Sequence, residues 1–424
     1  MLLGKASAQD SEARRLFEQR FKESLASPAD LDAAFKFAEA ANAVGEYEAA
    51  IGALERMLFF NPNLARVRLE LGVLYFRLGS YGQARSYFKT ALEQPGAPED
   101  VKLAVQKFMG EIDRRQRISQ FSGFVQVGAR YQTNANAGPS NLNVRVLGFD
   151  ATLDRAFAKR PDWNAFVIGG VRHVLDFDNQ RGDTWETVAQ TYLAQQAKVS
   201  TYDIQALEVT TGPRLAIPLD ALPGISVRPY AIGALLGLSD TYYSSTAGLG
   251  AALSVPLPFA SLEVGGEYRW RTFHNSSTYP LASQQSGELA GVFASTAVPL
   301  AYGVRAVVKG GLYDNDADVR SNGFRSSTVD VAFPFEVTLP LVSKPLSVTP
   351  SFGGSWYNYK APNVLVDPNV KRRDRERHVG LALETPLTDL FSVGVQMQLS
   401  RNHSNLPNYR YRNFSVAFGP SLRF

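Results

Sequence analysis

The side chains best suited to moving protons or holding metal near neutral pH are histidines, and this chain has four: His173, His274, His378 and His403. They are scattered, without metal-ligand spacing, and read as solvated residues at strand ends or in loops. Cysteine is absent, which excludes disulfides, zinc–thiolate sites and thiol nucleophiles. The stretch GARYQTNANAG (128–138) is glycine-bounded, but no Lys-Ser/Thr and no helix follow it, so it is not a phosphate loop. The run KRRDRERH (371–378) mixes both charge signs and reads as a solvated loop and strand end. The alternative is contact with phosphate groups through Arg372, Arg373 and Arg375. No catalytic constellation emerges, so the chain is expected not to be an enzyme and to hold no cofactor or metal.

Other charges repeat at every second residue. In SLEVGGEYRWRT (261–272), Glu263, Glu267, Arg269 and Arg271 share one side of an extended chain, opposite Leu262, Val264, Tyr268 and Trp270. Arg305, Lys309, Asp330 and Glu336 occupy similar places. Such charges have no place in a dry sheet core. Lining a water-filled lumen, mixed signs would hydrate a passage without trapping one kind of ion. For any single one of these residues, simple packing of the lumen wall is the competing reading.

The elements that must carry them are long. TVDVAFPFEVTL (328–339) and FSVGVQMQLS (391–400) alternate in the same way, near the length a tilted strand needs to cross a bilayer and well beyond the soluble average of about 5–6 residues. Tight, proline-bearing turns are expected near 159–162, 217–224, 255–259, 298–303, 339–345 and 385–389. Polar loops are expected near 132–142, 177–202, 238–242, 273–284, 314–325, 360–373 and 402–410. Six turns and seven loops connect fourteen strands, an antiparallel transmembrane β-barrel with both chain ends on one side. The count places a strand between 142 and 159. It leaves TWETVAQTYLAQQAKV (184–199) in an outer loop, partly helical from the spacing of Trp185, Val188 and Tyr192. The chain closes on NFSVAFGPSLRF, an alternating strand ending in Phe424. In outer-membrane barrels a final strand with a terminal aromatic pairs with the first and carries the signal read by the barrel assembly machinery. Gly419, Leu422 and Phe424 fill those positions.

Before residue 118 the period is different. Leu71, Gly72, Tyr75, Gly79, Tyr81, Ala84, Phe88 and Ala91 follow the tetratricopeptide pattern, and Phe37, Ala38, Ala41, Gly45, Tyr47, Ala50, Leu54 and Met57 repeat it about 34 residues earlier. Pro62 and Pro95 separate units. Two units need caps, expected as amphipathic helices at 11–25 and 98–117. The expected domains are 1–9 as a residual signal peptide or disordered tail, 10–117 as a tetratricopeptide repeat domain, and 118–424 as the barrel. Ala6-Ser7-Ala8 has the small-x-small form of a secretory cleavage site, with the true start expected upstream. In this repeat fold the first helix of each unit faces a groove, which brings forward Asp32, Phe35, Glu39, Asn42, Arg66, Leu69, Val73 and Phe76; groove and helix packing are equal readings for the apolar ones. The net charge of +4 and the lack of a basic, aromatic-interleaved stripe argue against nucleic acid.

Helical repeats ahead of a 14-stranded barrel, together with FSGFVQVGARYQTNANAG (121–138) and TTGPRLAIP (210–218), resemble the surface lipoprotein assembly modulator (Slam) family. That resemblance implies a Gram-negative outer-membrane protein with a periplasmic N-terminal domain. It implies delivery of a client lipoprotein or secreted protein to the cell surface, with outer-membrane lipids, lipopolysaccharide and the barrel assembly machinery as further partners and a monomeric state. The short repeat domain departs from the family and leaves the client class open. A polysaccharide export channel and a passive porin with a periplasmic interaction domain are the alternatives.

Overall fold

The computed structural model describes residues 3–94, 96–179, 181–219, 222–338 and 344–424. The chain divides into two compact units, Met1–Arg117 and Ile118–Phe424. Pro95 and most of the turn expected at 339–345 lie outside the described residues.

The first unit is helical: α1 (Leu3–Ala26), α2 (Leu31–Ala43), α3 (Tyr47–Phe60), α4 (Ala65–Arg77), α5 (Tyr81–Leu92) and α6 (Glu99–Arg115). α4 starts 34 residues after α2 (65 − 31), and α5 starts 34 after α3 (81 − 47). The turns match as well. Gly45 and Gly79 take positive φ, 82° and 75°, which only glycine adopts without strain. The next residue then bonds back into the helix, Glu46 N–H to the Ala41 carbonyl and Ser80 N–H to that of Tyr75. Small residues let the paired helices close. A Cβ on Gly72 would lie 2.4 Å from the Phe88 ring. Phe88, Leu71, Leu54, Val101, Val105 and Ile112 are fully buried in the two core clusters that α1–α6 share. Residues 3–9, expected as a tail, are the first turns of α1.

The second unit is one closed antiparallel sheet. Its strands are β1 (Ser119–Gln132), β4 (Asp162–Asp176), β5 (Thr184–Gln196), β6 (Ile204–Ala216), β7 (Ser226–Leu238), β8 (Thr241–Leu257) and β9 (Ala260–Phe273). Then come β10 (Gly287–Pro299), β11 (Arg305–Ala317), β12 (Phe324–Ala332), β13 (Phe335–Val337), β14 (Leu346–Tyr359), β15 (Arg373–Pro386), β16 (Phe391–Ser404) and β17 (Tyr411–Arg423). β12 and β13 are one stave interrupted at Pro334, since both pair with β14, and a proline cannot donate to the ladder. That leaves fourteen staves, and the β1–β17 ladder closes the ring. A separate hairpin, β2 (Asn143–Val146) and β3 (Phe149–Thr152), lies in the connection after β1.

Two sequence expectations are corrected here, and they compensate each other. The segment 184–199 is not an outer loop; its residues 184–196 form stave β5, paired with β4 and β6. The stretch 142–159 is not a stave, and 159–162 is not a tight turn; both belong to a long connection, 133–161. The period of two was masked in β5 because both faces mix polar and apolar residues: Trp185, Thr187, Thr191 and Leu193 on the outward face, and Glu186, Val188, Gln190, Tyr192 and Ala194 on the inward face. Tyr192 and Ala194 pack there with Phe166, Ile168 and Ala417. The expected 177–202 loop is instead the connection from β4 to β5, stave β5 itself and a second loop (197–203). We call the end of the barrel with the long connections the loop end, and the end with the six short ones and both barrel termini the turn end.

Candidate functional site

Which face of each stave points inward follows from one contact. Arg269 on β9 meets Glu208 on β6, three staves away, at 2.6 Å, a distance only the interior can span. Carried through the register, this puts Glu263, Glu267, Arg269 and Arg271 on the inner face of β9 and Arg305 and Lys309 on that of β11. Asp330 and Glu336 take the inner face of β12 and β13. The outer face carries Val264, Val292, Leu312, Phe352, Val379, Leu399, Phe414 and Phe418, all exposed.

The inner charges gather in clusters along the wall. Arg269 also bonds Glu267 at 3.0 Å. Lys309 sits opposite Asp330 in register, and Asp330 meets His378 at 3.1 Å. Glu263 accepts from the Ser254 hydroxyl at 3.2 Å, and Arg271 donates to Asn315. Arg305 and Glu336 lie nearer the turn end. The tightest cluster contains none of the expected residues. Glu186, with a side chain 4 % exposed, receives Arg172 at 2.8 Å and Arg214 at 2.6 Å, with Arg228 at 3.8 Å. It was missed because it lies in β5, whose strand period was hidden. Every pair named here joins staves no more than three apart, so the charges coat the wall. A cavity of about 800 Å³ opens between them, lined by Phe124, Tyr192, Glu208, Glu267, Arg269 and Tyr313.

At the turn end, Asp183 ties the connection before β5 to β6. It accepts the backbone N–H of Ala216 at 2.8 Å and Asn179 Nδ2 at 2.9 Å, with Arg181 at 3.0 Å. The Ala216 N–H, then Asn179 and Arg181, hold its carboxyl below the usual carboxylate range. At the loop end, Asn134 and Asn136 are buried pins. Asn134 exchanges two bonds with the backbone of Gly138, and Asn136 bridges Ala158 and Arg160. The β2–β3 hairpin they anchor is bonded to the connection after β14, Leu147 N–H to the Leu365 carbonyl and Arg145 to Asp367 at 3.4 Å. Arg372 is turned away from the exterior, stacked on Tyr409 and paired with Asp374.

The closing seam accounts for the C-terminal residues. Gly419 faces Gly128 across it, and a Cβ on Gly419 would fall 1.9 Å from the Val127 carbonyl oxygen. Leu422 pairs with Val125 and Phe391. Phe424 exchanges two backbone bonds with Gly123, at 2.8 and 3.0 Å, and lays its ring where a Gly123 side chain would stand.

On the helical unit the expected groove residues separate. Leu69 is buried in the core, and Val73 and Phe76 pack against the same cluster, with the Phe76 ring 5.3 Å from that of Phe108. Phe35 is half-buried against the other cluster. Asp32 pairs with Lys36. Glu39 and Arg66 remain exposed, and Asn42 on α2 accepts from Arg77 on α4 at 2.6 Å. Glu70 lies among them: burial pushes its carboxyl up against the pull of Arg66, Glu39 adds to the rise, and Arg77 opposes it. The strip that α2 and α4 present is therefore polar and of mixed charge rather than apolar.

No protein-family model matches the chain, and no curated protein matches it. Among solved structures, it is similar to the anion-selective porin from Comamonas acidovorans, at 7 % identity over 72 % of this chain and 99 % of the porin, TM-score 0.38. It is also similar to the outer membrane channel DcaP of Acinetobacter baumannii, at 10 % identity over 72 % and 97 %, TM-score 0.38. Over 27 % of this chain it is similar to PcrH in complex with the chaperone binding region of PopD, at 17 % identity over 90 % of that chain, TM-score 0.24.

Proposed function

We propose that the protein is an outer-membrane translocator, as the Slam resemblance implies: a barrel that spans the membrane and a periplasmic repeat unit that docks a client lipoprotein or secreted protein for delivery to the surface. The observation that carries this reading is the joining, in one chain, of helical repeats to a closed 14-stave barrel whose outer face is apolar and whose inner face is charged. An exposed apolar belt of this kind is stable against acyl chains, and closure satisfies every stave edge. Both ends of the barrel emerge at the turn end, the periplasmic side in barrels of this class. Client contact is assigned to Glu39, Asn42, Arg66, Glu70 and Arg77, which suit an extended polar segment; Leu69, Val73 and Phe76 support the helices behind them. Gly419, Leu422 and Phe424 are assigned to barrel closure and assembly.

The aromatic-lined cavity favours a second reading, a passive solute channel carrying an interaction domain. Deleting residues 10–117 separates the two. The translocator loses surface display of its client while the barrel still inserts; the passive channel keeps its full conductance and shows no display defect. Display that survives the deletion overturns the docking role.

A further inference from the structure

Among the described residues, the wall of the barrel facing away from the lumen carries a group of positive charges with no acidic partner. On β15 the outward residues nearest the loop end are Arg373, Arg375 and Arg377; on β16 they are Arg401 and His403; on β17, Arg412. All six are exposed. The register aligns them: Arg377 is opposite Arg401, which is opposite Arg412, and Arg375 is opposite His403. Directly opposed residues of neighbouring strands stand about 5 Å apart at Cβ, where like charges repel. Among the described residues, none of the five arginines has an acidic side chain within ion-pair distance.

Elsewhere on the same wall, among the described residues, the outward acidic groups have partners. Asp314 takes Arg325 at 3.0 Å and Lys360, Asp316 takes Lys360 at 2.9 Å, and Glu288 accepts from the Tyr268 hydroxyl. The unpaired set is thus confined to three adjacent staves. Arg375, Arg377, Arg401 and His403 bound a shallow groove of about 330 Å³. The next outward row toward the turn end is Val379, Leu399 and Phe414, again in register, with Trp356 opposite Arg375. A cationic groove therefore sits directly above an apolar wall.

We infer that this face binds the phosphorylated headgroup of an outer-leaflet glycolipid of the lipopolysaccharide class, its phosphates held by Arg377, Arg401 and Arg412 and its acyl chains lying on Val379, Leu399 and Phe414. Guanidinium forks bind phosphate oxygens bidentately. An amphiphile fits where a free anion would leave the apolar row bare. The inference rests on the proposed orientation, with the loop end at the cell exterior. The client plays no part in it.

The test uses the full chain purified in detergent and the variants R377S/R401S/R412S and R401S, each checked for folding by heat-modifiable gel mobility. Each is titrated with diphosphorylated lipid A, dephosphorylated lipid A, phosphatidylglycerol and inorganic phosphate, and retained lipid is read by native mass spectrometry. The wild type should retain diphosphorylated lipid A at least about tenfold more tightly than the triple variant, a difference of 1.4 kcal/mol, with R401S between them. The dephosphorylated form should not distinguish them. Equal retention by wild type and variants, or displacement by millimolar inorganic phosphate, overturns the site alone. Preference for phosphatidylglycerol overturns it together with the orientation.

Discussion

Glu186 shows how much a single side chain carries in this wall. Three arginines converge on one carboxylate whose side chain is 4 % exposed, and Arg228 Nε is buried with no hydrogen-bond acceptor. Replacing Glu186 by Gln leaves three cations facing each other, and breaking a buried pair in this way costs about 3 kcal/mol or more. The expected result is a clearly lower urea midpoint for the folded, heat-modifiable form, partly restored by adding Arg228→Gln. An unchanged midpoint would mean that water already screens the cluster. Tyr87 gives a second test at this scale. Burial, then its 3.0 Å bond to Glu55, pushes its hydroxyl up to about 12. The unfolded value is about 10, so the folded state keeps its proton longer. That stabilisation is complete below pH 10 and is lost as pH rises toward 12. The helical circular dichroism signal should lose thermal stability across that window, and Tyr87→Phe should flatten the loss.

Among the elements, the β1–β17 seam is the one on which closure depends. Its backbones approach so closely at Gly128 and Gly419 that a side chain on either would strike a carbonyl oxygen, at 2.2 and 1.9 Å. Gly419→Val should therefore leave most of the chain unable to reach the heat-modifiable form. Valine placed at Gly233, where a Cβ meets nothing within 4 Å, should be tolerated. If both variants close equally well, the seam is not the limiting element. The repeat helices were legible because a 34-residue period, paired glycines and buried small residues all agree. β5 was not legible, since a strand that mixes polar and apolar residues on both faces has little contrast at a period of two. The 133–161 connection was misread because the count of turns and loops required a strand there, whereas β2 and β3 form a hairpin docked on neighbouring loops.

For the whole molecule, the division into two units, Met1–Arg117 and Ile118–Phe424, makes the deletion of residues 10–117 a fair experiment. The barrel's hydrogen bonds close on themselves, so its insertion should not depend on the helices. The deletion should therefore abolish client display with the amount of heat-modifiable barrel unchanged, measured by surface labelling of the client and by gel mobility of the same cells. A parallel loss of barrel would show that the helices serve assembly rather than docking.

Local alternation and repeat spacing were sufficient to read, from the sequence, a helical repeat region followed by an antiparallel barrel ending in an aromatic; the count of fourteen staves held because the missed β5 and the strand expected at 142–159 cancel. Both signals come from neighbours along the chain. They could not show that Leu69, Val73 and Phe76 face a core instead of a groove, because an apolar residue looks the same in either place. Nor could they show that Glu186 gathers three arginines, or that Arg377, Arg401 and Arg412 form one row. Those facts depend on register between strands, which only the closed barrel sets.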